Sequence, residues 1–338
     1  MVTLGSDLSD NVILEVQNLQ VSLSQGQNVI RIVNGIDYIV RCGEIFGIVG
    51  ESGSGKSMGA YALMRLLQPN AWVSAGEILY EGRDILSLSD CEMTALRGRE
   101  IGMIFQNPVV SLDPAFTIGE QIIETIQIHD RSVSLSVALE LAEVFLASVG
   151  IQHPKNVLRQ YPFELSGGMC QRAMIAIALT VKPKLLIADE PTTALDVTIQ
   201  SQIHMLLRRH RDESNMSLIY ITHDFSAVAE LCDNVAVMYD GYIVEQGRTD
   251  AVLANPQHPY TKGLLSAITK LDTPKAVPLP QLDIQHKISE STFQGCSYFP
   301  RCAHPFMVCS ERMPPYTAVD EEHTVRCWRM ADGGVSVE

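Results

Sequence analysis

The chain has 338 residues, 46% of them hydrophobic, with 25 Lys and Arg against 39 Asp and Glu, a net charge of −14 and a pI near 5.1. This is enough apolar material for one large domain with an appendage or for two domains, it excludes a chain dominated by disorder, and the acidic balance argues against a nucleic-acid partner, which calls for a basic face. No apolar run is long enough to cross a bilayer and Met1 to Asp10 are polar and acidic, so a cytoplasmic location is expected, where the eight cysteines are thiols or metal ligands and not disulfides.

From Val12 to Val49, short apolar segments alternate with turn residues: Ile13 to Val16, Leu19 to Leu23, Val29 to Val33 and Ile36 to Val40, punctuated by Gly26 and Gly35. This predicts a β-rich lead-in. The run Ile45 to Val49 reads as a buried strand and Met58 to Leu67 as a helix. Between them lies Gly50-Glu51-Ser52-Gly53-Ser54-Gly55-Lys56-Ser57, a complete phosphate-binding loop in the strand-to-helix setting such a loop needs. Its glycines let backbone N–H groups turn inward around a phosphate, and the helix N-terminus adds partial positive charge. Lys56 supplies a point charge for the β- and γ-phosphates, and Ser57 offers a hydroxyl to Mg²⁺, a hard cation that prefers oxygen. An ordinary glycine-rich turn would not need the lysine and serine that follow.

Strands are predicted at Ile101 to Phe105, Leu185 to Ala188, Leu218 to Thr222 and Val235 to Tyr239, with helical patterns between them. That order predicts a doubly wound parallel α/β core. Between Asn107 and Ser166 the pattern is almost wholly helical, with Ile118 to Ile128 and Leu135 to Val149 as the main candidates, which predicts an inserted helical subdomain over about 107–168. After Asn255 the prolines Pro256, Pro259, Pro274, Pro278 and Pro280 break the chain repeatedly, so residues 1–255 are expected to form the nucleotide-binding domain and 256–338 a separate C-terminal extension.

The strand Leu185 to Ala188 ends in Asp189-Glu190, two carboxylates at the C-terminal edge of a buried strand, where ligands collect in open α/β sheets. Asp189 is expected to bind Mg²⁺, directly or through water, and Glu190 to orient or deprotonate an attacking water. Behind a phosphate loop, this reading outweighs an acidic pair that merely ends a surface strand. Leu165-Ser166-Gly167-Gly168-Met169-Cys170-Gln171-Arg172 precedes a predicted helix, Arg172 to Val181, with a serine N-cap and two glycines that leave backbone amides bare for a second anion. By itself, a Ser-Gly-Gly turn is a common helix cap.

With these motifs in this order, residues 12 to about 248 resemble the nucleotide-binding subunits of ABC transporters, whose signature motif is LSGGQ or LSGGM. The resemblance implies an ATPase that uses ATP and Mg²⁺. It assigns Gln106, in Phe105-Gln106-Asn107-Pro108, to the loop that touches Mg²⁺ or the water and faces the membrane partner. Asp196, in Thr193-Ala194-Leu195-Asp196, matches the D-loop, and His223 matches the switch histidine that contacts the γ-phosphate. In such proteins Ser166, Gly167 and Gly168 face the phosphate loop of a second ATPase subunit, so each ATP is clamped between two chains. There are two departures. The family stacks an aromatic residue of the early β-region on adenine, but Leu19 to Ile36 contains no Phe, Tyr or Trp, leaving Val29 or Ile30 to pack there. Cys170 stands where related chains carry arginine.

Cys296, Cys302, Cys309 and Cys327 are separated by five, six and seventeen intervening residues in a proline-rich segment without periodicity. Four thiolates are enough for a tetrahedral Zn²⁺ or an iron–sulfur cluster, although the absence of a Cys-x-x-Cys pair weakens the zinc-ribbon reading and unrelated buried thiols are the alternative. Asn255-Pro256-Gln257-His258-Pro259-Tyr260-Thr261-Lys262-Gly263-Leu264, Gly295-Cys296 and Pro300-Arg301-Cys302 resemble the C-terminal extension of oligopeptide/dipeptide and nickel importer ATPases. The resemblance implies a [4Fe-4S] cluster on the four cysteines, a related but different second ATPase chain, two transmembrane permease subunits and an extracytoplasmic substrate-binding protein. It also implies a position on the cytoplasmic face of the membrane. A soluble ABC ATPase acting on nucleic acid or ribosomes would show coiled-coil insertions, paired domains or basic stretches. A small-molecule kinase would have no use for the signature or for His223.

Overall fold

The computed structural model describes residues 11–193, 195–266 and 294–331; the polar start Met1 to Asp10, Ala194 and the prolines Pro274, Pro278 and Pro280 lie outside the described residues. The chain divides into two compact units that interleave along it: one takes residues up to 14, 39–45 and 79–221, and the other 15–38, 46–78 and 222 onward.

In the first unit the strands Ile101–Ile104, Leu185–Asp189 and Ser217–Thr222 run parallel, with Ile104 opposite Ala188 and Ala188 opposite Tyr220. Every residue of these strands is buried, as expected for parallel strands covered on both faces, which is why each reads as an unbroken apolar run. The predicted helices are present as Ile118–His129 and Leu135–Ser148. The first opens on a capping box: Thr117 accepts from the Glu120 N–H while Glu120 accepts from the Thr117 N–H. Both pack on a third helix, Gly167–Thr180. That helix begins five residues before the predicted Arg172, because Gly167 and Gly168 form its first turn.

In the second unit Ile45–Val49 pairs parallel with Asn234–Tyr239, which pairs antiparallel with Tyr242–Arg248. The C-terminal element then adds two short strands to the same edge, His323–Val325 and, beyond it, Thr317–Ala318. The predicted β-rich lead-in consists of two long strands, Val12–Gln25 and Asn28–Arg41, with Ala71–Tyr80 on the other side of the first. Gly26 turns the chain between the first two, but Gly35 does not. Its left-handed φ of 82° faces Asn18 at φ 46°, and a Cβ at Gly35 would stand 2.7 Å from Asn18 Oδ1. The two residues kink the strands without ending them. The phosphate loop leads into the helix Lys56–Leu63, which stops before the predicted Leu67 because Arg65 adopts φ 48°.

Glu245 secures the C-terminal element to this sheet. Fully buried, it accepts the N–H groups of Gln257 at 2.6 Å and His258 at 2.9 Å, and Nε2 of buried His323 lies 2.8 Å away. Burial opposes its charge, but the hydrogen bonds from His323 and the two amides hold its carboxyl below the ordinary value of 4.5. Such a group stabilises the fold above its unfolded pKa, and that contribution is lost as pH falls through the lowered folded value. Glu245→Gln is expected to reduce the free energy of unfolding in urea at pH 7 by about 2–4 kcal/mol. The deficit should shrink as pH falls below the ordinary value of 4.5 and on through the lowered folded value, where the native carboxyl is protonated as well.

Candidate functional site

The phosphate loop leaves a fully buried strand and turns back at once. Gly50 lies against the Met238 carbonyl oxygen with no room for a Cβ, and Gly55, the N-cap of the following helix, has φ 99° and would place a Cβ 2.8 Å from the Ile32 carbonyl oxygen. Gly53 is also left-handed, at φ 80°. Lys56 is buried and folds over the turn, its Nζ donating to the carbonyls of Gly50 at 2.8 Å and Glu51 at 2.9 Å. The lysine thus supplies the loop with its own positive centre, held by main-chain oxygens. The loop is held from outside as well, since the Gly241 N–H donates to the Ser54 carbonyl and the Glu51 N–H donates to the Tyr260 hydroxyl at 2.8 Å. Ser52 is exposed and Ser57 half-buried. His223 belongs to the same unit and is exposed, immediately after the strand Ser217–Thr222 and before Asp224, which caps the helix Phe225–Leu231. Val29 and Ile30, the residues expected to meet a base, are exposed apolar side chains.

The other unit carries the carboxylates and the signature. Asp189 is fully buried at the end of its strand. Glu190 follows in the left-handed region at φ 48°, a conformation that costs energy for a non-glycine residue and recurs at functional sites. It is held there by its N–H to the Ile221 carbonyl at 2.9 Å and by the Thr193 hydroxyl, which donates to its carboxylate at 3.0 Å. Beneath this turn lies a buried polar network that no local motif announces. The Tyr220 hydroxyl is 3.1 Å from the Thr192 hydroxyl and 2.9 Å from His204 Nε2. Gln171, buried at 1% exposure, donates to the Pro191 carbonyl at 2.8 Å and so ties the signature helix to the turn that carries Glu190.

Ser166 caps the signature helix, accepting the Met169 N–H, as its sequence position predicts. Gly167 is exposed and a Cβ there would meet open space, so no contact among the described residues calls for a glycine. Cys170 is buried, and its thiol donates to the Pro162 carbonyl at 3.3 Å, whereas Ser166 and Gly167 are exposed. Asp196 is exposed and caps the helix Val197–Ser214, accepting from Thr198 and Ile199. Gln106 is exposed just beyond the strand Ile101–Ile104, one residue before the cap of a short helix, Pro108–Ser111, whose Val109 and Val110 are also exposed.

Cys296, Cys302, Cys309 and Cys327 border one cavity together with His258, Tyr298 and Trp328. They share that cavity without forming a ligand set: among the described residues, no three His, Cys, Asp or Glu side chains are grouped to hold a metal ion. Burial pushes the Cys296 thiol up to about 12 and those of Cys309 and Cys327 above their ordinary value. Among the described residues, no helix is long and apolar enough to cross a membrane.

The chain is similar to known proteins along most of its length. The ABC transporter family pattern matches residues 33–193, and that of the oligopeptide/dipeptide transporter C-terminal region matches residues 244–309. The chain is 43% identical to the dipeptide transport ATP-binding protein DppD of Bacillus subtilis over 94% of each chain. It is 42% identical to the oligopeptide transport ATP-binding protein OppD of Salmonella typhimurium, again over 94% of each. Its fold resembles a dimeric ATP-binding cassette solved in a post-hydrolysis state with ADP and Pi, at a TM-score of 0.65 and 26% identity over 70% of this chain and 98% of that one. The backbone of the loop gives a direct test. Gly55→Ala is expected to weaken ATP binding at least about tenfold in an equilibrium titration, because the added methyl meets both a left-handed φ and the Ile32 carbonyl.

Proposed function

The chain belongs to the ATP-binding subunits of oligopeptide/dipeptide ABC transporters, and on that premise we infer that it is the ATP-hydrolysing subunit of a peptide importer. The observation that carries the chemistry is the turn at Glu190: a carboxylate held at a left-handed backbone angle by Thr193 and the Ile221 carbonyl, directly after a buried aspartate at a strand end. ATP places its β- and γ-phosphates on the loop Gly50 to Ser57, where Lys56 exchanges loop carbonyls for phosphate oxygens. We assign Ser57, Asp189 and Gln106, each an oxygen donor suited to a hard ion, as the residues that would hold Mg²⁺. Glu190 orients and deprotonates the attacking water, and His223 contacts the γ-phosphate.

The signature supports a shared site. Gly167 has open space where a side chain would stand, and Ser166 with the first amides of its helix offers donors to an anion from outside the chain. We assign these groups, with Gly168 and Asp196, to the ATP held by a second, related ATPase subunit. ATP then closes the pair and hydrolysis reopens it. Two transmembrane permease subunits receive that motion through the region of Gln106, where exposed Val109 and Val110 support a protein contact, and an extracytoplasmic protein delivers the peptide. This places the chain at the cytoplasmic face of the membrane. Residues 1–255 act as the nucleotide-binding part, with about 107–168 as its helical subdomain, and 256–338 as the extension.

Glu190→Gln is expected to slow ATP hydrolysis roughly 10²- to 10⁴-fold with ATP binding retained; near-normal turnover would remove Glu190 from its role. Co-purification with two membrane proteins separates the importer reading from a soluble ATPase that acts on nucleic acid or ribosomes. The extension's four sulfurs suit an iron–sulfur centre or Zn²⁺ in donor chemistry once they deprotonate and draw together. No step above depends on such a group. Protein purified without air is expected to hold stoichiometric iron if the cysteines carry a cluster and zinc if they carry a single ion; neither metal would leave them as buried thiols.

A further inference from the structure

A glutamate is an awkward residue in a phosphate-binding loop. Glu51 is the second residue of the loop, and its carbonyl is one of the two main-chain oxygens that hold Lys56. An anionic side chain there repels the polyphosphate that the loop binds. The structure shows what offsets it. Arg301, far away in sequence in the turn Phe299–Arg301 and next to Cys302, forms a two-pronged ion pair with Glu51: Nη1 to Oε2 at 2.9 Å and Nη2 to Oε1 at 3.0 Å. The Arg301 side chain is only 12% exposed. It lies 5.6 Å from the ring centre of Tyr239 and 5.8 Å from that of Tyr298, and these two rings pack with Tyr260, whose hydroxyl accepts the Glu51 N–H. A planar fork between aromatic rings is a fixed geometry, which Lys could not reproduce.

We propose that Arg301 is a positioning residue of the phosphate loop: delivered by the cysteine-bearing C-terminal element, it cancels the charge of Glu51 and fixes that residue so that the loop accepts ATP. The C-terminal element is therefore part of the nucleotide-binding apparatus of this chain, and its state sets the affinity of the loop. The inference rests on the reading of residues 50–57 as the ATP loop and deepens it.

The test is equilibrium binding of ATP with Mg²⁺ to the full chain, in wild type, Arg301→Gln, Arg301→Lys, Glu51→Gln and the double variant Glu51→Gln/Arg301→Gln. Arg301→Gln is expected to weaken binding about five- to tenfold, with the loss shrinking as salt screens the uncovered carboxylate. Arg301→Lys should recover part of the loss, and removing the Glu51 charge in the double variant should recover most of it. A merely structural role for Arg301 would give no such rescue and no salt dependence, because neutralising Glu51 cannot refold a displaced element. Wild-type affinity in Arg301→Gln, or a double variant as weak as Arg301→Gln, would overturn the proposal. Lys56→Ala separates the two levels: if it binds ATP like wild type, the loop reading itself fails, whereas its loss alongside intact binding in Arg301→Gln sinks only the role of Arg301.

Discussion

A turn of backbone that surrounds a phosphate has to aim its N–H groups inward, and it can do so only where side chains are absent and the outer side of the turn is braced. Residues 50–56 meet both conditions. Gly50 rests against the Met238 carbonyl, Gly55 against that of Ile32, and the two loop carbonyls that point inward are occupied by Lys56. The outer bracing comes from Gly241, Tyr260 and Arg301, all contributed by chain more than 180 residues away in sequence, with separations of 209 for Tyr260 and 250 for Arg301. The sheet edge and the C-terminal element therefore serve the loop. Glu245, by gathering Gln257, His258 and His323 around one buried carboxylate, holds that element where it can do so.

The acidic turn follows the same logic with different means. Glu190 occupies a left-handed backbone angle that a glutamate would not choose on its own. The surroundings hold it there through Thr193, the Ile221 carbonyl, the Tyr220 hydroxyl network and the Gln171 bond to Pro191. Gln171 lies on the signature helix, so the group we assign to the partner's nucleotide and the group we assign to the water sit on connected pieces of one unit. If the subunit works by closing on another chain, as proposed, such a connection would let the arrival of one nucleotide bear on the hydrolysis of the other.

The site was legible in the sequence wherever its chemistry is local. The glycines, lysine and serine of the loop, the apolar strand that ends in Asp189-Glu190 and the Ser166 cap all announce themselves within ten residues. Where local signals competed, the reading slipped. Gly167 and Gly168 look like a turn but form the first turn of a helix, because Ser166 caps it. Gly35 looks like a strand end but kinks a strand that Asp37 and Asn18 keep paired. The strand Ala71–Tyr80 was missed because its burial does not alternate regularly and Gly76 interrupts it. What could not be read at all was long-range: Arg301 with Glu51, Tyr260 with the loop amide, and Glu245 with His323. No periodicity or spacing encodes a pair that meets only after the sheet is built.

The central claim is that this chain holds ATP on its own loop but completes hydrolysis only with a second subunit. The direct measurement is the steady-state rate of ATP hydrolysis by the isolated chain, with its monomeric state established by sedimentation in the same buffer, against the rate after addition of the related ATPase subunit. The account predicts ATP binding but negligible turnover for the monomer, and a rate that rises in step with complex formation. A monomer that turns over ATP as fast as the assembled complex would contradict it.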